Sequence, residues 1–216
     1  MEQTSEMTLP KVKHSFYTRF GKRFLDLLLS SIALVVLSPV FLLVSVLELI
    51  FQGSPVFYTQ ERPGLHGKIF HIYKFRSMTN ETDENGELLP GYMRLTKFGK
   101  FIRKFSIDEL PELFCIFMGT MSIVGPRPLR KEYLPLYNQR HMMRHEIRPG
   151  FACVRLKPGS TWTWRDQFEN DLWYLEHCSL LVDIQMVFAV IREVLHPSKA
   201  RIDATRPPFD GTNLDA

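Results

Sequence analysis

Two adjacent carboxylates, Asp108 and Glu109, stand in the run Ser106-Ile107-Asp108-Glu109-Leu110-Pro111, with Gly125-Pro126-Arg127-Pro128 a short way downstream. A carboxylate can serve as nucleophile or metal ligand, and phosphate chemistry uses both roles. Proline lacks a backbone N–H and is tolerated only in the first turn of a helix. Pro111 therefore predicts a helix that begins at about Asp108 and runs on through Glu112 to Met118. The acids would then lie at a helix N-terminus, where unpaired N–H groups and the positive end of the dipole favour an anion such as phosphate. The plainer alternative is that Asp108 or Ser106 merely caps the helix.

Composition narrows the setting. A chain of 216 residues with no Ser/Gly-rich linker and no internal repeat suits one catalytic-sized domain plus an appendage. A net charge of +4 suits an anionic partner: nucleic acid, an acidic lipid surface or a nucleotide sugar. The three cysteines, Cys115, Cys153 and Cys178, are odd in number and widely separated, against both a disulfide framework and a zinc site. A reducing cytosol is the simplest setting. His141 and His145 have helix-face spacing, but Glu146 stands on the wrong side for H-E-x-x-H, so no metal site is assigned to them.

The appendage is the apolar stretch 24–51, whose inner run 27–47 carries no charge. About 20 apolar residues would cross a membrane as one straight helix, which is the simplest reading. A cleaved signal peptide is disfavoured, because the run begins late and is too long. Two features oppose simple spanning. Ser38-Pro39 falls near the midpoint, where an interior proline costs on the order of 3 kcal/mol unless the helix bends. Positive residues also flank both ends: Lys11, Lys13, Arg19, Lys22 and Arg23 before the run, Arg62, Lys68, Lys74 and Arg76 after it. Positive charge favours the cytoplasmic side, so a helix that enters, breaks at Ser38-Pro39 and returns satisfies both constraints. Each arm of ~12 residues would reach about 18 Å, enough for one leaflet.

Beyond the membrane segment, β-formers at 56–59 and 68–75 surround Pro63-Gly64 and His66-Gly67, which predicts a short hairpin. The acidic, glycine-interrupted stretch 79–91 reads as a surface loop. Residues 94–105 interleave Arg94, Lys97, Lys100, Arg103 and Lys104 with apolar positions, as a basic amphipathic helix does. For most of these charges a solvated face over an ordinary core is the plainer reading; Arg103, just ahead of the acids, is the exception. Residues 180–195 form an amphipathic helix ending before Pro197, more often core than membrane contact. Trp162, Trp164 and Trp173 suit buried packing, an interfacial anchor or stacking on a nucleotide base.

An ordered series of motifs carries a family resemblance from about residue 22 to 197. It comprises Phe57-x-x-Gln60-x-Arg62-Pro63-Gly64, Lys74-Phe75-Arg76-Ser77-Met78, Leu95-Thr96-x-Phe98-Gly99, Arg103 and Ser106-Ile107-Asp108-Glu109-Leu110-Pro111-Glu112-Leu113. Met118-Gly119-x-Met121-Ser122-Ile123-Val124-Gly125-Pro126-Arg127-Pro128-Leu129 and Arg148-Pro149-Gly150 complete it. The chain resembles the bacterial sugar transferases, small monotopic phosphoglycosyl transferases. That resemblance implies a mainly helical α+β fold with a re-entrant membrane helix and a compact cytoplasmic catalytic domain with a short β-hairpin. The expected organisation is a basic N-terminal segment (1–21), a re-entrant helix broken at Ser38-Pro39 (22–52), a catalytic domain (53–197) and a C-terminal tail (198–216). It places the protein on the cytoplasmic face of the bacterial inner membrane.

The implied reaction moves a phosphosugar from a UDP-sugar to a polyprenyl phosphate, undecaprenyl phosphate being the expected acceptor, and releases UMP. In that scheme Asp108 attacks the sugar-linked phosphorus to form an acyl phosphate, Mg²⁺ neutralises the phosphates, and Glu109 helps hold the metal. Lys74, Arg103 and the Ser38-Pro39 break would meet the polyprenyl phosphate, with Arg76 beside them. Arg127, held between Pro126 and Pro128, would bind the phosphate or uridine end of the nucleotide. The expected partners are the donor, the acceptor and membrane lipid, with a homodimer left open and no nucleic acid. A basic nucleic-acid binder is the outlying alternative, and it leaves 24–51 unexplained. One segment departs from the family pattern: residues 151–160 lack the usual Gly-Trp-Ala-Gln-Val-Asn-Gly-Arg-like stretch, and similarity returns at Trp164-x-x-x-Phe168-Glu169-x-Asp171. That departure is the ground for the competing reading, a catalytically inactive, membrane-anchored member with a binding or regulatory role.

Overall fold

The uncharged run 27–47 does not form one rod. The computed structural model describes residues 9–153, 163–195 and 206–215, and it folds the run as two helices, α1 (Lys22–Val36) and α2 (Ser38–Phe51). A π-helical turn, Tyr17–Gly21, leads into α1. Pro39 stands in the first turn of α2, where its missing N–H costs no hydrogen bond. The chain leaves helical geometry at Leu37, and the axes of 17–36 and Ser38–Phe51 differ by 59°. Among the described residues no single helix is long and apolar enough to cross a membrane.

Both arms are fastened to the rest of the fold. Arg23 donates from Nη1 to Ile116 O (2.7 Å) and from Nη2 to Phe117 O (2.8 Å). Asp26 is buried and accepts from Ser122 Oγ (3.0 Å) and the Ile123 N–H (2.9 Å). From α2, Val44 is buried beside Phe75 and Ile102, and Phe41 packs its ring on Phe75 and Phe114. The other faces of both helices remain apolar and exposed, at Leu28, Ile32, Val36, Leu43 and Ile50 among others.

The expected hairpin is present, with a longer first strand: β1 (Phe57–Pro63) pairs antiparallel with β2 (Ile69–Phe75), and Tyr58 stands opposite Lys74. Residues 81–88 are exposed, as a surface loop requires. The basic helix expected over 94–105 is split. A single turn, α3 (Gly91–Arg94), precedes α4 (Lys97–Lys104), because Thr96 takes the N-cap position and its Oγ1 accepts from the Gly99 N–H at 2.8 Å. Gly99 lets α4 approach the chain after β2 closely: a β-carbon there would lie 1.9 Å from Ser77 O.

The acids lie one step ahead of where proline placement predicted. Asp108 and Glu109 belong to a 3-10 turn, Ile107–Glu109, while α5 (Glu112–Met118) begins after Pro111, which acts as its N-cap. The expected helix start at Asp108 is therefore corrected to Glu112: with Ser106 in the left-handed region at φ 54°, the chain turns sharply before the α-helical hydrogen bonds begin.

A second, parallel pair joins β3 (Ser122–Val124) to β4 (Gly150–Ala152). Between them run α6 (Gln139–Met142) and the 3-10 turn Met143–Glu146. The pair explains why two glycine motifs stand far apart in sequence. Gly150 N–H donates to Pro126 O at 2.9 Å, and a β-carbon on Gly150 would come within 2.0 Å of Gly125 N. The Gly125-Pro126-Arg127-Pro128 turn is thus laid directly on the Arg148-Pro149-Gly150 turn.

Two long helices, α7 (Trp164–His177) and α8 (Leu180–Leu195), complete the domain. α8 contributes Met186 to a core with Val124, Ala152, Tyr174 and Cys178, while Leu181, Ile184 and Phe188 stay exposed. Of the departing segment, residues 154–160 lie outside the described residues, as do Trp162, residues 1–8 and the tail from 196 to 205.

Candidate active site

Lys74 reaches the site because of strand register. Alternation puts it on the same face of β2 as the buried Phe70 and Ile72, and those two share a core with Leu113, Cys115 and Ile116 of α5. Its Nζ lies 2.6 Å from Glu109 Oε1 and 3.1 Å from Glu112 Oε1. Burial works against charge on this lysine, yet the two glutamates outweigh it and hold its pKa above the ordinary value. Arg127 adds a second cation, with Nη2 3.5 Å from the same Glu109 oxygen.

Asp108 is partly buried beside this cluster. Desolvation, and then the charge of Glu109, lift its pKa above the usual aspartate range, while Lys74 and Arg103 pull it down. Arg103 comes from the last turn of α4 and is fixed by donating from Nε to Ser77 Oγ at 2.7 Å. Lys74, Arg103, Asp108, Glu109 and Arg127 all line one open cavity of about 980 Å³. A smaller cavity of about 170 Å³ shares Lys74, Glu109 and Arg127 and adds Glu112 and Arg62.

The remaining expected residues are placed differently. Arg76 lines the large cavity, but its guanidinium is engaged by the carbonyls of Gln52, Gly53 and Ser54, clamping the exit from α2. Ser38 and Pro39 sit at the helix break and are not among the residues lining either cavity; Ser38 Oγ donates to Val35 O at 2.8 Å. Pro126 is buried, its carbonyl accepting from Gly150, and Pro128 lines the smaller cavity.

Four residues, Glu112, Arg144, Asp171 and Cys153, escaped the sequence reading as site contributors. Glu112 is buried against Lys74, and its position on the same helical stretch as the acid pair was the signal available. Arg144 and Asp171 form a fully buried pair, 2.6 Å apart, and Arg144 Nη2 donates to Arg127 O at 2.7 Å. The pair thereby fixes the backbone of the arginine turn from behind, with Gln167 donating to the other Asp171 oxygen. Cys153 lines both cavities, and burial pushes its thiol up to about 11, so it stays protonated at neutral pH.

The histidines are accounted for by packing. His141 stacks on Phe168 at 4.2 Å, and buried His145 donates from Nδ1 to Gly64 O at 3.1 Å, its pKa pushed down to about 4 by burial. Trp164 is buried in an aromatic cluster, and Trp173 stacks on His177. Among the described residues no cluster of three or more His, Cys, Asp or Glu forms a metal cage. The donor set at the acids is of another kind: hard carboxylate oxygens beside an open cavity, which fits a cation that takes one or two carboxylates and draws its other ligands from a bound phosphate.

Comparison with known proteins reaches the same segment of chain. The family described as bacterial sugar transferase matches residues 17–197. The uncharacterized sugar transferase EpsL of Bacillus subtilis (strain 168) is 44% identical over 175 residues, covering 81% of this chain and 87% of EpsL. A UDP-N-acetylgalactosamine-undecaprenyl-phosphate N-acetylgalactosaminephosphotransferase from Aeromonas hydrophila is 36% identical, covering 84% of this chain and 45% of the relative. A UDP-glucose:undecaprenyl-phosphate glucose-1-phosphate transferase from Klebsiella pneumoniae is 34% identical, covering 79% and 39%. The chain thus spans less than half the length of these two larger relatives and most of EpsL.

Proposed function

The chain belongs to the bacterial sugar transferase family, and from that premise we propose that it transfers a phosphosugar from a UDP-sugar to a polyprenyl phosphate, releasing UMP. The observation that carries this reading is the convergence of Lys74, Arg103, Asp108, Glu109 and Arg127 on one cavity. The names of the Aeromonas and Klebsiella relatives support the reaction class and an undecaprenyl-phosphate acceptor.

In the proposed mechanism an Asp108 carboxylate oxygen attacks the phosphorus that bears the sugar. The bond from that phosphorus to the bridging oxygen breaks, and UMP leaves with the electron pair. The acyl phosphate so formed retains enough free energy to pass the group on. A polyprenyl phosphate oxygen then attacks the same phosphorus, and Asp108 is released as carboxylate. Three anionic species meet in these steps, so cations decide the barrier. Lys74, held charged by Glu109 and Glu112, neutralises the phosphate under attack, and Arg127 serves the nucleotide's phosphate. Arg103 receives the acceptor's phosphate. Mg²⁺, when bound, would be held by Glu109 and substrate oxygens and would supply further charge neutralisation.

The same reading puts the protein on the cytoplasmic face of the inner membrane with the bent pair α1–α2 re-entrant. Its support is the 59° break, the exposed apolar faces of both arms and the positive flanks at each end. Ser38 and Pro39 would then act by shaping the lipid end of the path.

The deciding experiment incubates the purified protein with polyprenyl phosphate, Mg²⁺ and a panel of UDP-sugars and assays UMP. Brief exposure to the competent donor alone should add the phosphosugar mass to the peptide containing Asp108. Turnover without that adduct, or full activity in Asp108→Asn, would overturn the covalent mechanism.

A further inference from the structure

Residues 206–215 lie beyond the span that the family matches, yet they fold back onto it. Phe209 is 3% exposed, with its ring 5.2 Å from Phe168, 5.4 Å from Trp164 and 5.8 Å from Tyr133. Trp164 Nε1–H donates to Pro207 O at 3.0 Å, and the Arg165 N–H donates to Leu214 O at 2.7 Å. Arg165 also pairs with Asp215 at 2.7 Å. These anchors make the segment a strap, and they set Arg206, Pro207 and Pro208 into the wall of the cavity that Asp108 and Arg127 also line.

Arg206 is held in a defined pose. Its guanidinium carbon lies 3.5 Å above the Trp164 ring centre, and Nη1 donates to Thr163 O at 3.0 Å. Burial opposes its charge, Tyr133 and Asp171 favour it, and Arg127 opposes it. Arg130 lines the same cavity, so three guanidinium groups from separate parts of the chain face one space. Asp108 and Glu109 line the same space and offset part of that positive charge, and a phosphate entering it would meet guanidinium N–H donors. In-line displacement at Asp108 supplies such an anion, because the leaving phosphate must point away from the nucleophile.

Building on the phosphosugar-transfer reading above, we propose that the strap 206–208 forms part of the donor pocket and that Arg206 binds the phosphate of the departing nucleoside monophosphate. A planar guanidinium stacked on an indole presents its N–H edge preorganised for that contact. Donor affinity therefore depends on a tail outside the span this chain shares with its family.

The test uses the full chain in lipid nanodiscs and measures binding of UMP, uridine and inorganic phosphate by calorimetry, beside donor and acceptor kinetics. For Arg206→Ala, UMP affinity should fall and donor KM rise by about tenfold or more, the loss of one charge-assisted hydrogen bond. Uridine affinity and acceptor KM should stay as in the parent, and Arg206→Lys should restore part of the UMP affinity. Unchanged UMP affinity in the folded Arg206→Ala protein would overturn the inference, as would parent protein that does not bind UMP. Parent protein that binds UMP through Arg206 but turns over no UDP-sugar would instead overturn the transferase reading and leave the nucleotide site standing.

Discussion

Glu112 Oε1 lies 3.1 Å from Lys74 Nζ, and that lysine also lies 2.6 Å from Glu109, so one cation is shared between an acid open to the large cavity and a buried acid that lines only the smaller one. The sharing gives Glu109 freedom to take another partner. If Glu109 turns to a metal ion or substrate, Glu112 still holds Lys74 charged and aimed.

Removing that second partner should be felt at alkaline pH. Lys74 has a folded-state pKa raised by Glu109 and Glu112, so the stability it contributes is full below the unfolded value of about 10.4 and is lost as pH rises through the folded value. Glu112→Gln should shift the alkaline loss of both activity and stability to lower pH. Glu112→Ala should also cost about 1–3 kcal/mol, because a half-buried cation loses a partner. The pH–rate profile and thermal melts across the alkaline range check both; an unshifted alkaline limb would remove Glu112 from this role.

Asp108 carries a cost that its replacement should relieve. Its folded pKa is raised, so the fold binds this proton more tightly than the unfolded chain does, and the associated stability fades as pH rises from the unfolded value towards the folded one. Asp108→Asn should melt at a higher temperature than the parent at neutral pH and lose that advantage below about pH 4. Its turnover should drop by about 10³-fold or more. A variant both less stable and inactive at neutral pH would point to a structural role for the carboxylate.

The tie between α1 and β3 is testable at Asp26. Asp26→Ala leaves the Ile123 N–H and Ser122 hydroxyl without their acceptor in a buried setting and should cost about 2–3 kcal/mol. Asp26→Asn keeps an acceptor and should cost less. Thermal melts in detergent, with limited proteolysis between α1 and the domain, read the difference.

The re-entrant reading predicts the topology. Tags at residue 1 and residue 216 should both be reached by an impermeant reagent only from the cytoplasmic side. Replacing Ser38 with alanine and Pro39 with leucine restores a continuous helix and should drive part of the population to span, separating the tags and lowering turnover. A periplasmic N-terminal tag in the parent would refute the re-entrant arrangement.

Local chemistry made much of this protein legible in its sequence. An uncharged run interrupted by Ser38-Pro39 favours a bend there, because a proline in a helix interior removes a hydrogen bond and clashes with the preceding turn. Alternating β-formers around Pro63-Gly64 and His66-Gly67 specify a hairpin, and residue type alone singled out Asp108-Glu109, which the fold brings to the large cavity. Those signals act between neighbours. Tertiary structure decided the rest: that Lys74 meets Glu112, that Arg144 and Asp171 brace Arg127 from behind, and that Gly125 lies on Gly150. The helix start also moved past Pro111, since the left-handed turn at Ser106 takes up the geometry that a helix at Asp108 would have needed. The tail gave no periodic signal, and its position follows from Phe209 finding an aromatic cluster assembled by Tyr133, Trp164 and Phe168 from distant parts of the chain. Apolar burial rewards such a contact only once those partners have been brought together, which no window of sequence around Phe209 contains.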